Sequence, residues 1–350
     1  MKVLVDAIGC EHGGVATYVA NLLRGWVAEF PADEVAVLRA TTDPRPPVAG
    51  VTVHEVAVPR PNVALRPVVQ TREVRRRSRG VDAVLAAHPV TSLLRLPVPQ
   101  AVVVHDFRHE LRPDQFPASR RLIRRLGYGR AYAVASGFVC ISQRTLDDLH
   151  RLHPRCAAKP ATVVHHGADH VDDWPRRAGE PYVLAFGHHT NKNVELVLRA
   201  WQQAGITTPR LNIVGLSEPA RAQLATLVGS LGLDGRVVLS RYLADDDFHA
   251  LMTGSAGVLF PSDFEGFGLP VVEAMRLGKP VVVGPDDAVR EVADGYATTA
   301  RELTVPALTA AIRTALDTRP AALDAAREHA ARYTWGRTAR QTREFLLSLA

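Results

Sequence analysis

The stretch Phe260-Pro261-Ser262-Asp263-Phe264-Glu265-Gly266-Phe267-Gly268-Leu269-Pro270-Val271-Val272-Glu273-Ala274-Met275 changes character twice within sixteen residues. It starts as a strand end, passes through a loop carrying Gly266 and Gly268, and enters a helix with Pro270 near its first position. A missing N–H costs nothing there. A strand that feeds a helix through a glycine loop is the unit of a parallel α/β sheet, and ligands bind such sheets beyond the carboxyl ends of their strands. The first amides of a helix lack intrahelical acceptors, so this loop suits phosphate or hydroxyl oxygens. Glu265 falls in the loop and Glu273 about one turn into the helix. Two carboxylates so placed can accept from two separate sets of hydroxyls, a ribose diol at Glu273 and a second sugar at Glu265. On charge alone, both would equally complement the positive end of the helix.

The same rhythm runs outward in both directions. In the first half, apolar runs at Val3–Ile8, Glu34–Leu38, Val51–Val56, Ala83–Ala86, Ala101–Val104, Phe138–Ile141 and Thr162–Val164 predict strands. In the second half Tyr182–Phe186, Leu211–Val214, Val237–Leu239, Gly257–Phe260 and Pro280–Val283 do the same. These are continuous apolar runs, as expected of strands buried on both faces. Between them, Val15, Tyr18, Val19, Leu22, Leu23 and Trp26 keep helical spacing, as do Val194, Val197, Leu198 and Trp201. A length of 350 residues fits two domains at about 150 residues each. The period breaks most completely over His166–Pro181, where Gly167, Asp169, Asp172, Asp173, Pro175, Gly179 and Pro181 fall, so the linker is expected there. The expected boundaries are 1–170, 175–330 and a last helical segment within 331–350.

Composition excludes several classes. No run approaches the ~20 apolar residues of a membrane span, and the N-terminus enters Lys2-Val3-Leu4-Val5 without a signal-peptide pattern, so a cytoplasmic location is expected. Cys10, Cys140 and Cys156 are scattered and odd in number, which suggests reduced thiols rather than a disulfide framework or a zinc site. The net charge of +6 rests almost wholly on arginine, the lysines being Lys2, Lys159, Lys192 and Lys279. That skew fits a GC-rich genome and weakens any argument from charge alone. Arg72, Arg75, Arg76 and Arg79, and again Arg120, Arg121, Arg124 and Arg125, read as solvated helix faces or as contacts to a membrane surface or anionic acceptor. Without an aromatic-studded basic platform, nucleic acid is not expected as a partner. A Gly-x-Ser-x-Gly nucleophile turn and a P-loop are both absent from the sequence. Asp245-Asp246-Asp247 has Asp-x-Asp spacing but precedes a helical stretch, whose N-terminus favours acids without a metal. His165 and His166 are adjacent and would face opposite sides of a strand. No metal is predicted.

The Glu265–Glu273 stretch resembles the acidic motif of retaining glycosyltransferases of the GT-B fold, family 4 (glycosyl transferases group 1). There, two glutamates flank a Gly-Phe-Gly segment with seven residues between them, as here. A second match is Val183-Leu184-Ala185-Phe186-Gly187 followed by Lys192-Asn193, similar to the family's strand, glycine turn and basic loop. Gly13-Gly14 after the first strand resembles its Gly-Gly loop, and His105-Asp106 its His-Asp pair near the reacting centre. The resemblance implies two Rossmann-like doubly wound domains facing each other across a cleft, the first binding acceptor and the second the nucleotide sugar. It further implies that the segment with Tyr333 and Trp335 crosses back to the first domain.

By resemblance, Glu273 holds the donor ribose, while Glu265 and the amides of Phe267, Gly268 and Leu269 hold the transferred sugar. Gly187, in the glycine turn, binds the donor, and Lys192 neutralises the departing diphosphate, a task that needs a fixed cation because charge builds on the leaving group. Gly13 and Gly14 face the diphosphate and the acceptor. His105 touches the transferred sugar or acceptor, although a strand-end histidine bonded to a nearby carbonyl is the plainer reading. Asp106 is the nearby acid to test as a base. The family's commonest pattern has an arginine just after the glycine turn, and this chain has His188 and His189. Either His188 supplies one phosphate donor or Lys192 works with backbone amides alone. The implied reaction is metal-independent and cofactor-free. It moves a hexose or derivative from a nucleoside-diphosphate sugar, UDP or GDP first, to a hydroxyl acceptor, with retention by same-face attack. An epimerase or sugar phosphorylase on the same fold, or a non-catalytic nucleotide-sugar-binding partner of another transferase, are the alternatives. Base, sugar, acceptor and oligomeric state are left open.

Overall fold

Strands form where the apolar runs lie, and both sheets are wholly parallel. The computed structural model describes residues 1–58, 66–176 and 181–350. Residues 177–180 of the expected linker lie outside these. The chain divides into two units, Met1–Gly167 with Tyr333–Ala350, and Ala168–Arg332.

In the first unit the strands are β1 (Lys2–Asp6), β2 (Glu34–Ala40), β3 (Val51–Val56), β4 (Ala83–Ala86), β5 (Gln100–Val104), β6 (Gly137–Cys140) and β7 (Ala161–Val163). Their order in the sheet is β3-β2-β1-β4-β5-β6-β7. Direction of winding therefore reverses between β1 and β4. Leu4, Leu38, Val56, Val74 and Val84 pack on one another at full or nearly full burial, and Val102, Val104, Tyr132 and Phe138 form a second cluster. Burying one such side chain contributes about 1.5–3 kcal/mol. The helix Gly13–Glu29 buries Tyr18, Val19, Leu22, Leu23 and Trp26, the stripe its spacing predicts.

The closing helix Trp335–Ser348 belongs to this unit and packs along Gly13–Glu29. A Cβ on Gly25 would sit 2.5 Å from the Trp335 carbonyl oxygen, so the two backbones meet where only glycine fits. Arg343 donates to both oxygens of Asp33 at 2.6 and 3.1 Å, and Arg340 reaches Glu29 at 2.6 Å. Burial alone would raise the Asp33 carboxyl, but hydrogen bonds led by Arg343 hold it down at about 2.

In the second unit the strands are β8 (Tyr182–Phe186), β9 (Arg210–Val214), β10 (Val237–Leu239), β11 (Gly257–Phe260), β12 (Val281–Val283) and β13 (Thr298–Thr299). Their order is β10-β9-β8-β11-β12-β13. Here winding reverses between β8 and β11, which pair in register from Gly257 with Val183 to Leu259 with Ala185. Val183, Ala185, Trp201, Leu211 and Ile213 fill the core beneath. Among the described residues, no helix is long and apolar enough to cross a membrane.

Candidate donor site at the strand reversal of the second unit

Neighbouring strands wound in opposite directions leave a crevice at their carboxyl ends, and ligands of doubly wound folds bind there. In the second unit the loops after β8 and β11 meet at this point. The β8 loop makes a short 3-10 turn, Thr190–Lys192, and then places Asn193 at φ 53°, ψ 44°. Asparagine tolerates this left-handed conformation better than most residues. From there Asn193 Nδ2 donates to Asn191 O at 3.1 Å and across to Pro261 O at 2.9 Å. Asp263 N donates back to Asn191 O at 3.2 Å, and Asn191 Nδ2 donates to Phe264 O at 2.8 Å. The two loops are thus stitched together residue by residue.

This stitching sets the charged pair. Lys192 Nζ lies 2.5 Å from Glu265 Oε1, and Asn191 Nδ2 donates to the same oxygen at 2.9 Å. Lys192 is 4% exposed and its ammonium sits 3.8 Å from the centre of the Phe260 ring, whose π face favours a cation. The Glu265 backbone N–H donates to Asp286 Oδ2 at 3.2 Å. Asp286 Oδ1 in turn caps the helix Asp287–Ala293 by accepting from Ala288 and Val289. Loops after three successive strands of the sheet, β8, β11 and β12, thereby fix one carboxylate. Buried Asn191 Oδ1 and Ser262 Oγ have no hydrogen-bond partner among the described residues.

The helix that follows runs from Leu269 to Arg276, with Pro270 in its first turn as expected. Gly268 precedes it at φ 94°, with Val289 Cγ2 3.1 Å from where a Cβ would stand. Phe267 beside it is buried. The first turn itself carries no acidic residue, and Glu273 lies beyond the first turn, where the helix dipole acts most strongly. Glu273 is 4% exposed in the second turn and accepts from His170 Nε2 at 3.0 Å. His170 stands in the 3-10 turn Asp169–Asp173, which Asp172 also fastens to this helix through two bonds from Arg276, at 2.8 and 2.6 Å. Trp174 packs edge-on to His170 and stacks on His249 at 4.2 Å.

Gly187 and His188 follow β8 directly. Leu216 Cδ2 lies 2.3 Å from a Cβ built on Gly187, so the turn is tight there. The His188 ring approaches His189 at 4.8 Å and Tyr242 at 6.4 Å. Asp245, Asp246 and Asp247 occupy the exposed first turn of the helix Asp245–Gly254, the arrangement expected of acids at a helix start.

Four sequence-predicted residues belong to the first unit. Gly13 and Gly14 open the helix after β1, both exposed, with no side-chain cap from His12. His105, at the end of β5, directs Nε2 to the Ala87 carbonyl at 2.8 Å, and Tyr18 lies edge-on to it at 5.2 Å. Burial pushes its pKa down, against the pull of the Ala87 carbonyl and Asp106. The ring is therefore neutral at pH 7. Since a carbonyl only accepts, the proton is on Nε2 and Nδ1 keeps its lone pair. Asp106 Oδ1 accepts from Arg108 N at 2.8 Å and so begins the next helical turn. His165 and His166 turn to different partners, Tyr333 and Trp335, in keeping with their adjacency.

Sequence reasoning missed Asn191, His170 and Asp286. The Asn-Lys-Asn run around Lys192 was a usable signal for the first, because asparagines flanking a site lysine suit a turn that bonds backbone on both sides. Nothing local marks His170 as the partner of Glu273.

Two family models match the chain: "Glycosyltransferase Family 4" over residues 12–171 and "Glycosyl transferases group 1" over residues 169–333. The chain belongs to glycosyltransferase family 4. A protein of Mycolicibacterium hassiacum named MMP alpha-(1->4)-mannosyltransferase is 37% identical over 94 residues, 26% of this chain and 23% of that protein. The O-antigen chain mannosyltransferase RfbU of Salmonella typhimurium is 24% identical over 212 residues, 60% of this chain and 58% of its own length. The chain thus matches from about a quarter to somewhat over half the length of these curated relatives. Among solved structures, Anabaena HepE in complex with UDP and glucose superposes with a TM-score of 0.75 at 18% identity, covering 99% of this chain and all of that one. Such neighbours are GT-B glycosyltransferases, and this family 4 chain shares their pair of Rossmann-like parallel-sheet domains.

Proposed function

We propose that the protein transfers a hexosyl group from a nucleoside-diphosphate sugar to an acceptor hydroxyl, with retention of configuration and without a metal. The observation that carries this reading is the pair of buried Lys192 and half-buried Glu265, held by Asn191 at the β8–β11 reversal of a family 4 chain. An ammonium has three donors, so Lys192 can keep Glu265 and still take a phosphate oxygen. A cation fixed before the reaction needs no reorganisation when charge develops on the leaving diphosphate. Glu265, with the amides of Phe267, Gly268 and Leu269, then holds the sugar, while Glu273, oriented by His170, holds the ribose. Acceptor recognition falls to the first unit, with His105 and Asp106.

Retention through a covalent intermediate needs a carboxylate nucleophile opposite the leaving group. Glu265 Oε1 is already engaged by a lysine and an asparagine, which supports the same-face route, in which the leaving phosphate takes the acceptor proton. Two relatives bear the name mannosyltransferase and a similar fold binds UDP and glucose, so GDP- and UDP-linked hexoses come first. The test is to incubate the purified protein with UDP-, GDP-, ADP- and dTDP-sugars and follow nucleotide release. Slow hydrolysis of one donor is expected. Release from none of them overturns the reading, and an epimerised donor without transfer replaces it with the epimerase alternative.

A further inference from the structure

In the first unit, the loop after β1 makes room for one cation. Gly9 stands there at φ 88°, and a Cβ on it would overlap the guanidinium of Arg66, the first residue of the helix Arg66–Arg77. Arg66 Nη2 donates to Ile8 O at 2.8 Å. Its Nε is buried and has no acceptor among the described residues, and it forms no ion pair with any of them. Asp6 lies near enough to feel this charge, yet spends its oxygens on Gln70, Thr91 and the Ile8 N–H.

A second donor without an acceptor stands at the same edge of the sheet. β4 pairs with β1, and the loop after β4 brings His88 to the carboxyl ends of both strands. Val90 N donates to His88 Nδ1 at 3.3 Å, so Nδ1 keeps its lone pair. Burial, helped by the charges of His105 and Arg66, pushes this histidine down to about 3. The neutral ring therefore carries its proton on Nε2 and gives it to Tyr128 Oη at 3.0 Å. Tyr128, in the helix Ala118–Val134, is 5% exposed, and its own O–H is left with no acceptor among the described residues. Arg124, one turn earlier, leans on the Phe116 ring at 5.1 Å and is likewise in no ion pair with a described residue. The charges of both arginines bear on His88 and Tyr128.

We propose that Arg66 and Tyr128 bind the phosphate monoester of a polyhydroxy acceptor, in the crevice where the first unit reverses its winding between β1 and β4. Ligands of doubly wound sheets bind at such a point. Buried donors without acceptors are few in folded proteins, and a phosphate has oxygens enough to supply both. Two guanidinium groups outside ion pairs match its charge of about −2 at pH 7 better than the single charge of a carboxylate. His105 lies close enough to His88 for their charges to interact, and its Nδ1 lone pair can accept from a hydroxyl of the same molecule. The assignment to the acceptor rests on the transfer reading above; the phosphate site does not.

The experiment is calorimetric titration of the purified full chain, with no nucleotide sugar present. At least one monoester among glucose 6-phosphate, glycerol 3-phosphate and dispersed short-chain phosphatidic acid should bind about tenfold or more tightly than glucose, glycerol or glucuronate. The phosphatidic acid tells a lipid-borne phosphate from a soluble one. Arg66→Gln and Tyr128→Phe should each weaken that binding about tenfold, and Arg66→Lys should restore part of it. Tyr128→Phe keeps the ring against His109 and Tyr132, so it tests the hydroxyl in a folded chain. No binding, equal binding of glucuronate, or undiminished binding by both Arg66→Gln and Tyr128→Phe overturns the proposal. The last result would put the phosphate at Lys192 instead. Nucleotide release from the sugar donors is followed separately. If a donor is hydrolysed and no bound ester speeds that release, the acceptor assignment fails. If no donor is hydrolysed while an ester binds through Arg66, the transfer reading fails and the phosphate site stands.

Discussion

Lys192 Nζ lies 2.5 Å from Glu265 Oε1, with side chains 5% and 17% exposed, so each ion is the other's main compensation for lost water. Removing one partner from a buried pair strands the other charge, which costs about 3–5 kcal/mol. Lys192→Met should therefore destabilise the protein by a few kcal/mol and also reduce turnover by about a hundredfold or more. Glu265→Gln should cost less stability, because the amide oxygen can still accept from Asn191. In urea melts the double variant should lose clearly less than the sum of the single losses. Strict additivity would show that the pair is not coupled.

The two glutamates should fail differently. Glu273 is bonded to His170 and lies in the helix, whereas Glu265 is bonded to Lys192 in the loop. Calorimetry of nucleoside diphosphate binding should find Glu273→Ala weakened about tenfold or more and Glu265→Ala near wild type, with the latter losing turnover instead. His170→Ala should reproduce part of the Glu273 defect, through nucleotide affinity rather than the chemical step. Equal loss of affinity in the Glu265 and Glu273 variants would remove the division of labour.

Much of this arrangement is legible in the sequence because it is local. Strands buried on both faces show as unbroken apolar runs, and a glycine loop between a strand and a helix marks where the ligand side lies. Lys192, Glu265 and Glu273 stand in such loops and at such a helix start. β13 was not expected, since Thr298–Thr299 is two polar residues long and forms only by pairing with β12. The helix carrying Arg72, Arg75 and Arg76 ends at Arg77, and Arg79 falls in a separate 3-10 turn. His170 was invisible for a different reason: 103 residues separate it from Glu273, and only the folded sheet brings them together.

A pH effect should arise away from the donor site, at Asp6. This residue ends β1, is 2% exposed, and accepts from Thr91 Oγ at 2.7 Å and Gln70 Nε2 at 2.8 Å. Burial outweighs those bonds and pushes its carboxyl up to about 6 from 3.8. Between those values the folded chain holds a proton that the unfolded chain has released, so Asp6 makes stability fall as pH rises from about 4 to about 6. The full effect is about 3 kcal/mol. Asp6→Asn removes it. Whatever the variant costs at pH 4, its stability relative to wild type should improve by up to about 3 kcal/mol by pH 7, measured by denaturant unfolding. A constant difference across that range would show that Asp6 does not titrate there.

Two glycines should separate stability from binding. Gly25 lets the helix Gly13–Glu29 meet the Trp335 backbone, and an added Cβ would stand 2.5 Å from a carbonyl oxygen that has no rotamer by which to move aside. Gly25→Ala should thus cost about 1–3 kcal/mol of stability, as overpacking does, and leave nucleotide affinity of the folded protein unchanged. Gly268 lies in the second unit, before the helix that bears Glu273, at φ 94° and 3.1 Å from Val289. Gly268→Ala is strained by conformation and by contact together, at a residue whose amide we propose holds the sugar. Its stability loss should be of similar size, about 1–3 kcal/mol, but donor turnover should fall about tenfold or more at temperatures where the protein stays folded. If Gly25→Ala lowered turnover as much as Gly268→Ala with both proteins folded, the loop at Gly268 would hold no special place in the reaction.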